Sequence, residues 1–176
     1  MTNETLNCIE TRRSVRGYKP DVMPSDELTE AVVRAGTFAP TGRGAQSPVI
    51  VAVTNKEVRD RLSRLNAAVL GTQSDPFYGA PVVLVVLADR SRPTYLYDGS
   101  LVMGNLMNAA HAVGLGSCWI HRAREVFGSA EGKELLRQWG IEGDYEGIGH
   151  CVLGYPADGQ PLEAKPRKAD YVRWVK

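Results

Sequence analysis

The sequence predicts one compact domain in which buried strands alternate with helices, and three observations carry that expectation. The first is the stretch Tyr97–Gly116. From Leu101 onward, apolar or small residues fall on nearly every face of a helical wheel, the mark of a helix buried on all sides. The second is a set of apolar runs of strand length, at Val49–Val53, Pro81–Ala88, Ser117–Ile120 and Tyr145–Tyr155. The third is a length of 176 residues, enough to enclose one core. Alternation of strand and helix by itself favours a parallel sheet.

In chain order, Glu4–Arg12 is a short helix with Leu6 and Ile9 on one face, running into Arg12-Arg13-Ser14-Val15-Arg16. Pro20 and Pro24 break the chain. Asp26 and Glu27 suit the first turn of a second helix, Leu28, Ala31, Val32 and Ala35 give its apolar stripe, and Gly36 ends it. Phe38–Pro48 is a loop rich in proline and glycine. After the strand Val49–Val53, Thr54 and Glu57 form a capping-box pattern that opens a helix to about Leu70. Gly71–Gly79 is loop and Pro81–Ala88 the strongest strand.

The central helix then carries Gly99, Ser100, Gly104, Ala109, Ala110 and Ala112, so another element packs closely against it. Its glycines, with Asp98, Asn105, Asn108 and His111, make it unsuitable as a membrane span. Gly114-Leu115-Gly116 stops it and feeds the strand Ser117–Ile120. Ser129–Gln138 is a short surface helix, and Tyr145–Tyr155 the last strand. The terminal Tyr171-Val172-Arg173-Trp174-Val175 alternates apolar with polar residues and reads as a strand added to a sheet edge, of this domain or of another subunit.

Composition excludes several classes. A net charge of +1 gives no electrostatic case for nucleic acid or an acidic membrane. The polar start Met1-Thr2-Asn3-Glu4 has no signal-peptide core, and Cys8, Cys118 and Cys151 form neither a metal nor a disulfide pattern, so a cytoplasmic protein is expected. Gly114-x-Gly116 lacks a third glycine and follows a helix, which argues against a dinucleotide fingerprint. His111, His121 and His150 lack metal-ligand spacing and read as satisfied core or surface histidines. No nucleophile elbow is present. What remains is Arg12, Arg13 and Arg16 around Ser14, a set suited to phosphate oxygens, and a second basic cluster, Lys165-Pro166-Arg167-Lys168. Each is either solvated surface or half of an anion site.

Five motifs in order, R-R-S-x-R (Arg12–Arg16), A-P-T-G-x-x-x-Q-S-P (Ala39–Pro48), G-L-G-S-C-W (Gly114–Trp119), G-x-x-H-C-x-L-G-Y-P (Gly147–Pro156) and K-P-R-K (Lys165–Lys168), resemble the FMN-dependent nitroreductase family, closest to its short bacterial members. The resemblance runs from about Asn7 to Val175. It implies an α+β sandwich: a mainly antiparallel sheet flanked by helices, in a single domain spanning 1–176. It also implies a homodimer with the central helix at the interface, the C-terminal tail embracing the partner subunit, and FMN between the subunits.

Carried over by motif, Arg12, Arg13 and Ser14 resemble ligands of the FMN phosphate, and Arg16 the basic residue near the flavin N1 and O2 edge. Arg167, with Lys165, matches a C-terminal phosphate contact. Pro40, Thr41 and Gly42, with Gln46, match the loop that approaches the ring from the other subunit. Cys118, Trp119 and Ile120 match the segment along the flavin face, with Cys118 a packing residue rather than a nucleophile. Trp119 is either core or a border of the ring. Many relatives carry Asn where this chain has Gly44, which affects the substrate side of the ring.

The implied activity is reduction of a nitroaromatic, quinone or similar electron-poor small molecule by NADH or NADPH in a ping-pong order, with no catalytic side chain, since the cofactor carries the chemistry. A non-catalytic flavin-binding or flavin-storage protein is the alternative. A colourless structural or nucleic-acid module using the arginine clusters is the third.

Overall fold

The computed structural model describes residues 2–19 and 21–176; Met1 and the expected chain break at Pro20 lie outside them. Four strands form one sheet in the order β1-β2-β4-β3, where β1 is Pro48–Val53, β2 Val82–Asp89, β3 Gly116–Ile120 and β4 Tyr145–Gly154. Every pairing is antiparallel. Strand–helix alternation is therefore misleading here. Val53 at the end of β1 pairs with Val83 near the start of β2, so the intervening helix α3 (Lys56–Leu70) is an excursion that returns to the same end of the sheet.

Period-two alternation along the strands builds two cores. Val83, Val85, Leu87, Ile120 and Val152 face α3, α5 (Ala123–Gly128) and α6 (Ala130–Gln138). Val82, Leu84, Val86, Cys151 and Leu153 face α2 (Asp26–Thr37) and α4 (Tyr95–Ala112). The apolar strands β2 and β4 occupy the centre of the sheet and are almost wholly buried, as their composition requires. A register shift sets Val86 opposite Gly149 and Leu87 opposite Gly147, so Ile148 is the extra residue of a bulge. Gly99 of α4 accommodates it: a β-carbon there would lie 2.5 Å from Ile148 Cγ1.

Several element ends differ from the sequence reading. α4 begins at Tyr95, before the all-apolar stretch, and its buried residues include Asp98. α3 is capped by Asn55, whose side chain accepts from Val58 N, rather than by Thr54. Gly36 does not end α2, which runs to Thr37. It is a crossing point instead, because a β-carbon there would lie 2.6 Å from Leu106 of α4. α5 was not apparent; at 6 residues it is too short for a periodic signal.

Asp75 closes the loop before β2. It accepts hydrogen bonds from Ser63 Oγ, Phe77 N and Gly79 N, and pairs with Arg59, whose Nε donates to Ala80 O. The C-terminal residues 171–175 form no strand on this sheet. Trp174 is 82% and Val175 99% exposed, which removes docking on the chain's own domain from the two alternatives. No helix among the described residues is long and apolar enough to cross a membrane.

Candidate functional site

The basic segment after α1 (Glu4–Thr11) is built into the sheet edge. Ser14 bridges Ser117 of β3, with Val15 N donating to Ser117 O at 2.9 Å, and Val15 is buried. Tyr18 bridges Pro156, Ala157 N donates to Gly17 O, and Gln160 Oε1 accepts from Arg16 N. The backbone carrying Arg12, Ser14 and Arg16 is thus held on both sides.

The arginines differ in what they have left to offer. Arg12 Nη1 is buried with no hydrogen-bond partner among the described residues, an arrangement that costs free energy unless an acceptor arrives. Arg13 Nη1 is occupied by the carbonyls of Glu10 and Arg12. The Arg16 side chain lies in an exposed residue. Beside them, Thr11 Oγ1 lies 2.9 Å from His111 Nε2 near the end of α4, and burial, then the charges of Arg12 and Arg13, push the His111 pKa down. Lys165 and Arg167 are exposed, and Arg167 Nη2 donates to Lys165 O. No hydrogen bond among the described residues ties them to Arg12 or Ser14. Lys165 follows the anchored Gln160 by five residues, a reach of at most about 17 Å.

The loop Pro40–Gln46 sits at the other end of α4. Gly42–Gly44 form a single 3-10 turn, and Arg43, Gly44 and Gln46 all have left-handed backbones, with φ of 57°, 65° and 49°. Inside the loop, Thr41 Oγ1 accepts from Gln46 N and Thr41 O from Gly44 N. Among the described residues, one hydrogen bond leaves it: Gly42 N donates to Asp98 Oδ1 at 3.0 Å. Asp98 Oδ2 accepts from Thr94 Oγ1 at 3.0 Å, and a β-carbon on Gly42 would overlap that hydroxyl. In the sequence, Asp98 stood out only as a charge within a buried helix; the loop it holds is 56 residues away.

Asp98 and His111 are 13 residues apart on α4, so the loop and the basic cluster are separated by about 20 Å along the helix. A single chain therefore does not bring together the two groups that the resemblance places on one cofactor.

β3 carries the third expected segment, Cys118, Trp119 and Ile120. Cys118 is buried, and burial raises its thiol pKa despite the positive charges of Arg16 and Arg12, so it is not poised as a nucleophile. Ile120 is buried in the α3/α5/α6 core. Trp119 is half-buried on the α4 side, where a β-carbon on Gly149 would lie 2.5 Å from its Nε1. It lines a cleft of about 260 Å³ with Leu96, Ser100, His121 and Arg122. His150 is fully buried against Phe77 and Phe127, a core histidine as expected but only partly satisfied: its Nδ1 lies 3.5 Å from Asn66 Nδ2, and its Nε2 has no partner among the described residues. Burial pushes its pKa down to about 3, so it is neutral. Among the described residues, no three His, Cys, Asp or Glu side chains cluster as a metal site would require.

An all-antiparallel sheet with helices packed on both faces defines an α+β protein rather than a dinucleotide-binding fold of parallel strands. The chain belongs to the nitroreductase family, whose profile matches residues 9–75 and 68–155. A protein of Archaeoglobus fulgidus, provisionally named an NADH dehydrogenase/NAD(P)H nitroreductase, is 32% identical over 161 residues, 88% of this chain and 87% of that one. A nitroreductase of Bacteroides fragilis, solved with bound FMN, superposes with a TM-score of 0.90 at 27% identity, over 99% of this chain and all of that one. One from Desulfitobacterium hafniense, also with bound FMN, gives a TM-score of 0.88 at 27% identity over the full length of both chains.

Proposed function

We propose that this chain is an FMN-dependent oxidoreductase that uses NADH or NADPH to reduce nitroaromatics, quinones or similar electron-poor acceptors. The observation that carries the cofactor assignment is the buried, unpartnered Nη1 of Arg12 next to Ser14. A donor in that condition fits a phosphate oxygen, with which it makes a charge-assisted bond. Bound FMN supplies the hydride and electron transfer chemistry. Arg12, Ser14 and one face of Arg13 hold its phosphate, with Arg167 and Lys165 closing from the C-terminal segment. Arg16 offers a positive charge that favours added negative charge on the ring. The β3 backbone at Cys118, Trp119 and Ile120, with the Trp119 side chain, would form the wall along the ring, since the Cys118 and Ile120 side chains are buried in the core on the other face of the sheet, and Pro40, Thr41, Gly42 and Gln46 would cover it. Donor and acceptor occupy the same side in turn, a ping-pong order.

The assembly we propose is a homodimer. Only a second copy, antiparallel along α4, brings the loop of one chain to the basic cluster of the other across about 20 Å. Two surface features support it. Leu96, Tyr97 and Leu101 of α4 are exposed, and a β-carbon on Gly104 would meet nothing, so this part of the helix surface is unused within one chain, whereas Gly99 and Ala110 already pack against its own core. The exposed Tyr171, Val172, Trp174 and Val175 then cover the partner subunit. We further infer a single domain over 1–176 and a cytoplasmic protein with neither a nucleic-acid nor a membrane partner.

The test is direct. Purified protein should be yellow, sediment as a dimer at micromolar concentration, and oxidise NADH or NADPH with a nitroaromatic or quinone, giving parallel double-reciprocal lines. FMN without turnover would support the storage reading instead. A protein that stays colourless after refolding with excess FMN would refute both.

A further inference from the structure

We propose that Asp98 is a positioning residue for the reaction: its buried carboxylate holds Gly42 N and so fixes the Thr41–Gln46 loop in the conformation that acceptor turnover needs. This rests on the function proposed above, in which that loop covers the cofactor ring of the partner subunit.

Asp98 is only 2% exposed, and no cation lies within ion-pair distance of it among the described residues. A carboxylate so placed is costly unless its oxygens are occupied. Both are, by Gly42 N and Thr94 Oγ1. Asp98 lies in the first turn of α4, where negative charge is favourable, yet the contacts of its side chain reach outward to the loop. Helix formation alone would be served as well by an exposed acidic residue.

The loop needs such an anchor. Arg43 and Gln46 adopt left-handed backbones that L-residues with side chains disfavour, and two residues of that kind in a short span are held only where the surroundings fix them. The bonds within the loop, from Thr41 to Gln46 and Gly44, would survive a rigid swing of the whole turn. The Gly42–Asp98 bond is the one that ties the turn to α4. Gly42 is required for the approach, since a β-carbon would strike Thr94. Carboxylate, hydroxyl and bare backbone thus form one clamp, on the helix we place at the dimer interface.

Two variants test it, Asp98→Ala and Asp98→Asn. The carboxamide can still accept from Gly42 N through its oxygen and donate to Thr94 Oγ1 through its nitrogen, so Asp98→Asn should rescue what Asp98→Ala loses. In Asp98→Ala, amide hydrogen exchange at Gly42 should quicken about 10-fold or more, as loss of a bond to a charged acceptor implies. Acceptor kcat/KM should fall by a similar factor, and FMN affinity should stay within about twofold, since the phosphate residues lie at the far end of α4. Asp98→Asn should return both exchange and kcat/KM to within about twofold of wild type.

Unchanged Gly42 exchange in Asp98→Ala would overturn the clamp. A lowered Tm with unchanged acceptor kcat/KM, assayed well below that Tm, would show a merely structural role and overturn the proposal. Should Asp98→Ala not fold, Thr94→Val removes one donor while filling the same space, and must quicken Gly42 exchange in the same direction. A wild-type protein that binds no FMN would refute the proposed function and the link to turnover, while exchange at Gly42 still decides the clamp.

Discussion

Replacing Arg12 with methionine should move the stability of the free protein and its cofactor affinity in opposite directions. Methionine keeps most of the apolar stem and removes the guanidinium. In the free protein, Nη1 of Arg12 is desolvated without an acceptor. A buried unsatisfied donor costs about 1–3 kcal/mol, but the residue as a whole is only half-buried, so we expect a gain of about 0–1 kcal/mol on its removal. With phosphate bound, the same atom makes a charge-assisted contact worth about 1.5–3 kcal/mol, and its loss weakens FMN binding by about 10- to 150-fold. Thermal melts with and without FMN, paired with a flavin fluorescence titration, measure both effects. At FMN equal to 100 times the wild-type Kd, ligand linkage stabilises wild type by about 2.7 kcal/mol. A variant with a Kd raised 100-fold gains about 0.4 kcal/mol. A variant that is less stable when free, yet shows the full wild-type response to FMN, would refute the assignment of Arg12 and return it to ordinary packing.

Gly44→Asn should fold with a stability change under about 1 kcal/mol, because asparagine tolerates the left-handed region and a β-carbon at Gly44 meets nothing. It should change acceptor kcat/KM more than FMN affinity, measured with one nicotinamide donor and two acceptors. Trp119→Ala should cost about 3 kcal/mol, the low end for a tryptophan because the ring is only half-buried, and should alter flavin fluorescence and the nitroaromatic-to-quinone ratio. An unchanged ratio and spectrum would make Trp119 a packing residue alone. Asp75 is partly buried, which raises its pKa, but the hydrogen bonds from Arg59, Ser63, Gly79 and Phe77 outweigh burial and leave it below the ordinary carboxylate value. Its stabilisation is therefore complete above the unfolded value of about 3.9 and is lost as pH falls through the lower folded value. Asp75→Asn should be less stable than wild type at pH 7, and the difference should shrink as the pH falls below about 4, as read from Tm against pH.

Much of the fold is legible along the chain because its signals are local. The strand runs at Val49–Val53 and Pro81–Ala88, the closely packed α4 and the polar loops follow from patterns within a few residues. So does the proposed anion-binding role of Arg12, Ser14 and Arg16, which depends on donor chemistry rather than position. Strand direction is not of that kind. The antiparallel sheet depends on α3 returning the chain to the end of β1, and the hub at Asp75 that closes this return ties the Ser63 and Arg59 side chains, 12 and 16 residues back on α3, to the nearby backbone of Phe77 and Gly79. The Thr54–Glu57 pattern points to Thr54 as the cap of α3, but the backbone geometry places Asn55 there.

The candidate site divides in the same way. The sequence alone singled out the arginines suited to an anion and the loop rich in proline and glycine, because both are properties of residue type. Tertiary structure decided that these two groups lie at opposite ends of α4, that Arg13 spends Nη1 on the carbonyls of Glu10 and Arg12, and that Asp98 is the carboxylate holding Gly42. The reason is physical: a pattern of residue types fixes local conformation and burial, whereas distances across the molecule arise only when two buried faces close on a shared core and leave each polar atom to find, or lack, a partner.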